Sequence, residues 1–227
     1  MSEFVVPTDF LIGGWFGVKK LCLPPKFSVL GQKIKIVAFQ KGGAGMRVSH
    51  YNIEQNVDKE IGFEVPDALR CFIKKLSGWP MVKFSIQNES LSISVEGCTS
   101  AISYTFPKLN LFQDDYIPDH EKDEILQIST AEWFNIWNTI PIKGKVTLKI
   151  SKQTKVITLE HSGSRWKAAI IAKSKPSKDT TIVVDSGVAK SVFADPDNRT
   201  FSELIFKHAG LIHWRSRDLE IYVAPVE

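Results

Sequence analysis

The run Ile182-Val183-Val184-Asp185-Ser186-Gly187-Val188-Ala189 has the order of an aspartic-protease motif, in which two such aspartates share a proton to activate water. One copy is present, and only 40 residues follow Gly187, whereas such units place much of their fold after the motif. Asp185 reads better as the cap of a short helix, with Ser186 and Gly187 in its first turn. His50, His120, His161, His208 and His213 show neither HExxH nor paired-ligand spacing, and no GxSxG elbow occurs. Cys22, Cys71 and Cys98 form no CxxC pair and cannot all pair with one another, which supports neither a disulfide framework nor a zinc knuckle. Gly42-Gly43-Ala44-Gly45 lacks a GKS or GKT ending and leads into a strand, so it reads as a turn and not a phosphate cradle. The expectation is no catalytic residue, no metal and no cofactor.

The elements around these residues fall into two similar sets. In the first, Leu11, Trp15, Val18 and Cys22 share one face of a helix weakened by Gly13, Gly14 and Gly17. Lys33 to Phe39 and Met46 to Ile53 read as hairpin strands. Asp67 to Leu76 is a second helix with Leu69, Phe72, Ile73 and Leu76 inward, followed by strands over Met81 to Gln87, Leu91 to Glu96 and Ala101 to Phe106. In the second set, the capping box Ser129-Thr130-Ala131-Glu132 opens a helix with Trp133, Trp137 and Ile140 inward. Strands over Val146 to Ile150, Lys155 to Glu160, Trp166 to Lys173 and Thr180 to Val184 precede a short helix over about Ser186 to Ala194, and three more strands end at Ala224. Between the sets, Leu109 to Ile125 carries Asp114, Asp115, Asp119, Glu121, Asp123 and Glu124 against Lys122, the composition of an exposed connector.

This duplication predicts an α+β chain of two domains, 1–108 and 126–227, joined by an acidic connector over 109–125, and it points to a scaffold in place of an active site. A chain of 227 residues that is 43% hydrophobic has enough apolar content for two cores. The apolar stretch Phe10 to Val18 follows Asp9, has no basic residue before it and is too short to span a membrane. An intracellular, reducing compartment is the expected location. On the second helix, Arg70 and Lys74 lie four residues apart with Lys75 alongside, a basic stripe with no acidic partner expected at helical spacing.

With its acidic bridge and its ending, this order of elements resembles the sliding clamps of the proliferating cell nuclear antigen family. Tyr116-Ile117-Pro118-Asp119 is similar to the Gly-Ile-Pro-Glu of that family's connector, and Tyr222-Val223-Ala224-Pro225 to its C-terminal Tyr-Leu-Ala-Pro. The resemblance covers nearly the whole chain and fits a viral or otherwise divergent member. It implies antiparallel sheets outside and four short helices facing duplex DNA, in a ring, a trimer being favoured. It further implies no catalysis, a tether for DNA polymerase and other replication proteins, and a nucleus or viral replication site as the location. Sliding requires phosphate contacts without base readout.

The DNA-facing candidates are Lys19, Lys20, Arg70, Lys74, Lys75 and Lys190, while the third helix offers Asn135 and Asn138 and no cation. A hydrophobic pocket for partners is expected at Ile117, Pro118, Ala224 and Pro225, with Phe39 or Met46 as further walls. Lys83 to Gln87 and Thr180 to Val184 are the expected edge strands at subunit contacts. Two alternatives remain open: a clamp-fold transcription factor or accessory protein acting on DNA as a monomer or dimer, and, more remotely, a hydrolase using Asp185.

Overall fold

A computed structural model of the chain describes residues 2–16, 18, 24–40, 44–87, 90–95, 102–105, 124–193, 201–206 and 211–226. The chain forms two compact units, Met1–Phe16 with Pro24–Ala38 and Val48–Ile117, and Gly17–Leu23 with Phe39–Arg47 and Pro118–Glu227.

The first unit begins with β1 (Ser2–Pro7), in which Phe4 and Val6 alternate inward, and runs directly into α1 (Thr8–Phe16). Two long strands follow, β2 (Lys26–Phe39) and β3 (Gly45–Glu64), longer than the hairpin expected from sequence. Gly31 interrupts β2 with a φ of 59°, a left-handed conformation that other residues adopt at a cost. The base of the pair closes where the Val65 amide donates to the Pro25 carbonyl at 2.7 Å. Then come α2 (Asp67–Lys75), β4 (Met81–Gln87), β5 (Ser90–Ser94) and β6 (Ile102–Thr105). β1-β4-β5-β6 is an antiparallel sheet in which β1 pairs with β4 from Ser2 opposite Ile86 to Pro7 opposite Met81.

The second unit repeats this plan. β7 (Glu124–Ser129) has six residues, as β1 has, and runs into α3 (Thr130–Thr139) as β1 runs into α1. β8 (Lys145–Ile150), β9 (Val156–His161), β10 (Lys167–Ile171) and β11 (Thr180–Asp185) form an antiparallel sheet in the order β10-β9-β8-β11. Its base closes through the Ser186 amide on the Gly144 carbonyl at 3.0 Å, the counterpart of Val65 on Pro25. α4 (Ser186–Val192) leads to β12 (Phe201–Phe206), β13 (Ile212–Arg215) and β14 (Leu219–Val223). As β1 pairs with β4, so β7 pairs with β12, and the meander β12-β13-β14 matches β4-β5-β6. The tip of the β2–β3 hairpin belongs to this unit and extends the sheet beyond β14, where the Ala224 amide donates to the Ala44 carbonyl at 2.8 Å.

The two cores differ in chemistry. Phe4, Phe27, Phe63 and Phe84, from four strands of the first unit, stack in near-parallel pairs, with Phe27 and Phe63 4.9 Å apart, beneath Leu11, Trp15, Leu69 and Ile73 of its helices. In the second, Trp133, Phe134 and Trp137 of α3 surround Phe193 and Trp214, mostly edge to face, with Phe134 and Trp214 5.2 Å apart. Each fully buried aromatic side chain is worth roughly 1.5–3 kcal/mol over leaving it in water.

Two expectations are corrected. Glu124 and Ile125, assigned to the connector, are the first residues of β7; the remainder of the expected connector lies outside the described residues. Lys83 to Gln87 is no edge, because β4 lies between β1 and β5. β11, the other expected edge, does end its sheet, although the Val226 amide donates to the Val183 carbonyl at 2.9 Å and covers part of it. No described helix is long and apolar enough to cross a membrane.

Candidate nucleic-acid interface

α2 forms where apolar residues recur at Leu69, Phe72, Ile73 and Leu76, and burying that face turns Arg70, Lys74 and Lys75 away from the core. Arg70 is not unpartnered. Its Nη1 donates to Asp67 Oδ1 at 3.0 Å, one helical turn back, which overturns the expectation that no acid neutralises the stripe. Its Nη2 donates to the Trp15 carbonyl at 3.3 Å, in the last turn of α1, and its guanidinium lies 4.8 Å over the Phe16 ring. Lys74 is exposed, with its ammonium 5.8 Å from the same ring, and Lys75 is exposed beside it. Arg70 therefore fixes α2 against α1, and the two lysines carry the stripe's accessible charge.

Lys190 has a matching structural task in the second unit. From α4 its Nζ donates to the carbonyls of Asn138 and Ile140, both at 2.9 Å, at the C-terminal end of α3. A helix end exposes carbonyls without intrahelical partners and carries partial negative charge, so a cation there is stabilising. Each second helix thus supplies a cation that caps the first helix of its own unit. Sequence reading missed this because both residues look like surface cations until the helix pairs are assembled. Asn135 and Asn138 are exposed on α3, as expected. Lys19 and Lys20 lie outside the described residues, and α1 stops at Phe16, before them.

Of the expected partner pocket, Ile117 and Pro118 lie outside the described residues. Phe39 and Met46 are half-buried at the hairpin tip, which the Gln40 amide closes on the Gly45 carbonyl at 2.9 Å. Through Ala44, the tip and Ala224 are hydrogen-bonded neighbours, with Pro225 exposed next to them. A side chain at Gly45 would meet Val192 at 2.9 Å and Val188 at 3.0 Å, so glycine lets the tip press onto α4. An unforeseen polar groove lies elsewhere in this unit, lined by Gln127, Ser202, Glu203, Arg215, Ser216 and Arg217. In its wall Glu203 pairs with Arg215; elsewhere in the same sheet Glu220 accepts from the Tyr222 hydroxyl at 2.6 Å and lies 2.8 Å from His213 Nε2. Burial, and then the Glu220 carboxylate, raise the Tyr222 phenol above its ordinary pKa.

Asp185 Oδ1 accepts the Val188 amide at 2.8 Å as the N-cap of α4, the part expected of it. Ser129 likewise caps α3, accepting the Glu132 amide at 3.4 Å. Among the described residues no group of three or more His, Cys, Asp or Glu could hold a metal ion.

No protein-family model matches the chain, and no curated protein matches it. Solved structures do. A protein described as a DNA polymerase III beta subunit from Eubacterium rectale superposes with a TM-score of 0.80 at 14% identity over 100% of this chain. The DNA polymerase III beta subunit of Thermotoga maritima gives 0.75 at 14% identity over 99%. The chain has the sliding-clamp fold. It spans 66% and 64% of those two chains. The clamp fold accounts for tandem units whose helices and sheets recur in one order, the architecture expected from sequence.

Proposed function

We propose that this protein is a DNA sliding clamp, a processivity factor that tracks duplex DNA through sequence-independent phosphate contacts and tethers a DNA polymerase and other replication proteins. The observation carrying this reading is the clamp fold over the entire chain. On α2 the exposed Lys74 and Lys75, steadied by Arg70 and Phe16, supply charge without base-reading groups, which suits a ligand that must slide. Lys19 and Lys20 join them in this reading, and Lys190 contributes through the position it gives α3. The partner pocket is built from the hairpin tip (Phe39, Met46), the tail (Ala224, Pro225) and the connector (Ile117, Pro118). The protein makes and breaks no bond and works as a homotrimeric ring, in the manner of the proliferating cell nuclear antigen family, at an intracellular or viral replication site.

Sedimentation velocity on the free protein, with negatively stained particle images, tests this. The expected result is a trimer with a central opening. A monomer or dimer without one transfers the reading to an open, clamp-fold DNA accessory or transcription protein.

A further inference from the structure

The largest excess of positive charge in the chain is not on the helices. Residues 143–178 hold ten cationic side chains, Lys143, Lys145, Lys149, Lys152, Lys155, Arg165, Lys167, Lys173, Lys175 and Lys178, against one carboxylate, Glu160. The remaining residues hold 19 Lys and Arg against 24 Asp and Glu, so this segment alone makes the protein basic. All ten are exposed.

Strand alternation puts the three that lie in strands on one face. Val146, Leu148, Ile150, Ile157, Leu159, Ile170, Ile182 and Val184 are buried, which leaves Lys145, Lys149 and Lys167 on the opposite face with Thr147, Thr158, Glu160 and Ala169. Glu160 is shared between Lys149 at 2.7 Å and Lys167 at 2.9 Å. At one end of the sheet, where β8 and β10 finish and β9 and β11 begin, Lys152, Lys155, Lys173, Lys175 and Lys178 cluster in two loops. Backbone contacts fix those loops: the Lys152 amide donates to Asp179 and the Ser177 amide to Glu124, both at 2.8 Å, and the Lys155 ammonium donates to the Lys173 carbonyl at 2.8 Å. Lys143, Lys145, Arg165 and Lys167 gather at the other end, about 20 Å away along strands of this length.

The geometry points to this sheet face as a further duplex-DNA surface, made of other residues than the α2 stripe and independent of the clamp reading. Nine of its ten cations are lysines, point charges that suit phosphate without demanding a planar, bidentate partner. Its outward face presents Thr147, Thr158, Ala169 and Ile171 in place of the aromatic platforms that a single strand would stack on. A duplex offers one charge per about 1.7 Å of axis, so about 12 phosphate charges lie along the roughly 20 Å between the two cation clusters and both can be engaged at once.

The test compares the wild-type chain with Lys152→Glu/Lys175→Glu/Lys178→Glu, the corresponding triple glutamine variant, and Lys74→Glu/Lys75→Glu. Fluorescence anisotropy on a labelled duplex of mixed sequence is read across a salt series, with thermal melting to confirm folding. Both sheet triples are expected to bind more weakly and to lower the slope of log K against log salt by about two to three, near 0.9 for each phosphate no longer neutralised. An unchanged slope in both folded triples overturns the inference, and loss in the helix variant alone does so while leaving the clamp reading in place. Unchanged duplex binding together with abolished poly-L-glutamate binding would overturn it in favour of an acidic polypeptide.

Discussion

Four phenylalanines stack nearly parallel in the first unit, whereas in the second the side chains of three tryptophans and two phenylalanines meet mostly edge to face, yet in each unit the first strand pairs with a three-stranded meander in the same order. The helix pairs differ in a similar way. Arg70 reaches α1 through one carbonyl and keeps an acidic partner and an aromatic ring, whereas Lys190 reaches α3 through two carbonyls. The shared plan asks for apolar volume under the sheet and a cation at the first helix's end. It leaves open which residue supplies either.

The largest expected effects break the cores. Phe84→Ala and Phe193→Ala should each cost about 3–5 kcal/mol in chemical denaturation, since each removes a fully buried ring with several aromatic neighbours. A loss below about 1 kcal/mol at one site would show that its core collapses around the gap and that the two are not equivalent.

Next come the caps. Lys190→Met should cost about 1 kcal/mol and weaken duplex binding only slightly, through the position of α3, whereas Lys74→Glu/Lys75→Glu should leave stability within about 0.5 kcal/mol and weaken duplex binding strongly. The reverse outcome would exchange the roles given to α2 and α4. Asp185→Ala should also cost about 1 kcal/mol and Asp185→Asn only a few tenths, because asparagine caps as well as aspartate. Peptide cleavage abolished by the asparagine variant would restore the hydrolase alternative.

The smallest effect is electrostatic. Hydrogen bonds from Lys149 and then Lys167 hold the Glu160 carboxyl down to about 2, below its ordinary value of 4.5. A depressed carboxyl stabilises the fold above its unfolded pKa, and that contribution fades as pH falls from about 4.5 toward 2. Carboxyl NMR should find the midpoint there, and Lys149→Met/Lys167→Met should move it upward.

Much of the fold was legible from periodicity. Leu11 and Trp15, Leu69 and Ile73, and Trp133 and Trp137 recur at helical spacing and are all buried. β1 was missed although Phe4 and Val6 alternate, and β7 was missed because its first residues close an acidic run that reads as connector. Lys83 to Gln87 alternates as an edge strand would, and alternation carries no information about how many neighbours a strand has. Asp67, three residues before Arg70, was readable in the sequence and overlooked. The ten cations of residues 143–178 were equally visible there, and only the register gathers Lys145, Lys149 and Lys167 on one face.

By itself the sequence determined most of the elements, their duplication and the caps at Ser129 and Asp185, because those follow from side-chain period and from groups within one turn of each other. Tertiary structure alone decided that Arg70 and Lys190 serve neighbouring helices, that β4 is interior and that the hairpin tip meets the tail. Those outcomes depend on contacts between residues far apart in the chain, and a local pattern does not encode which distant carbonyl or strand will be in reach.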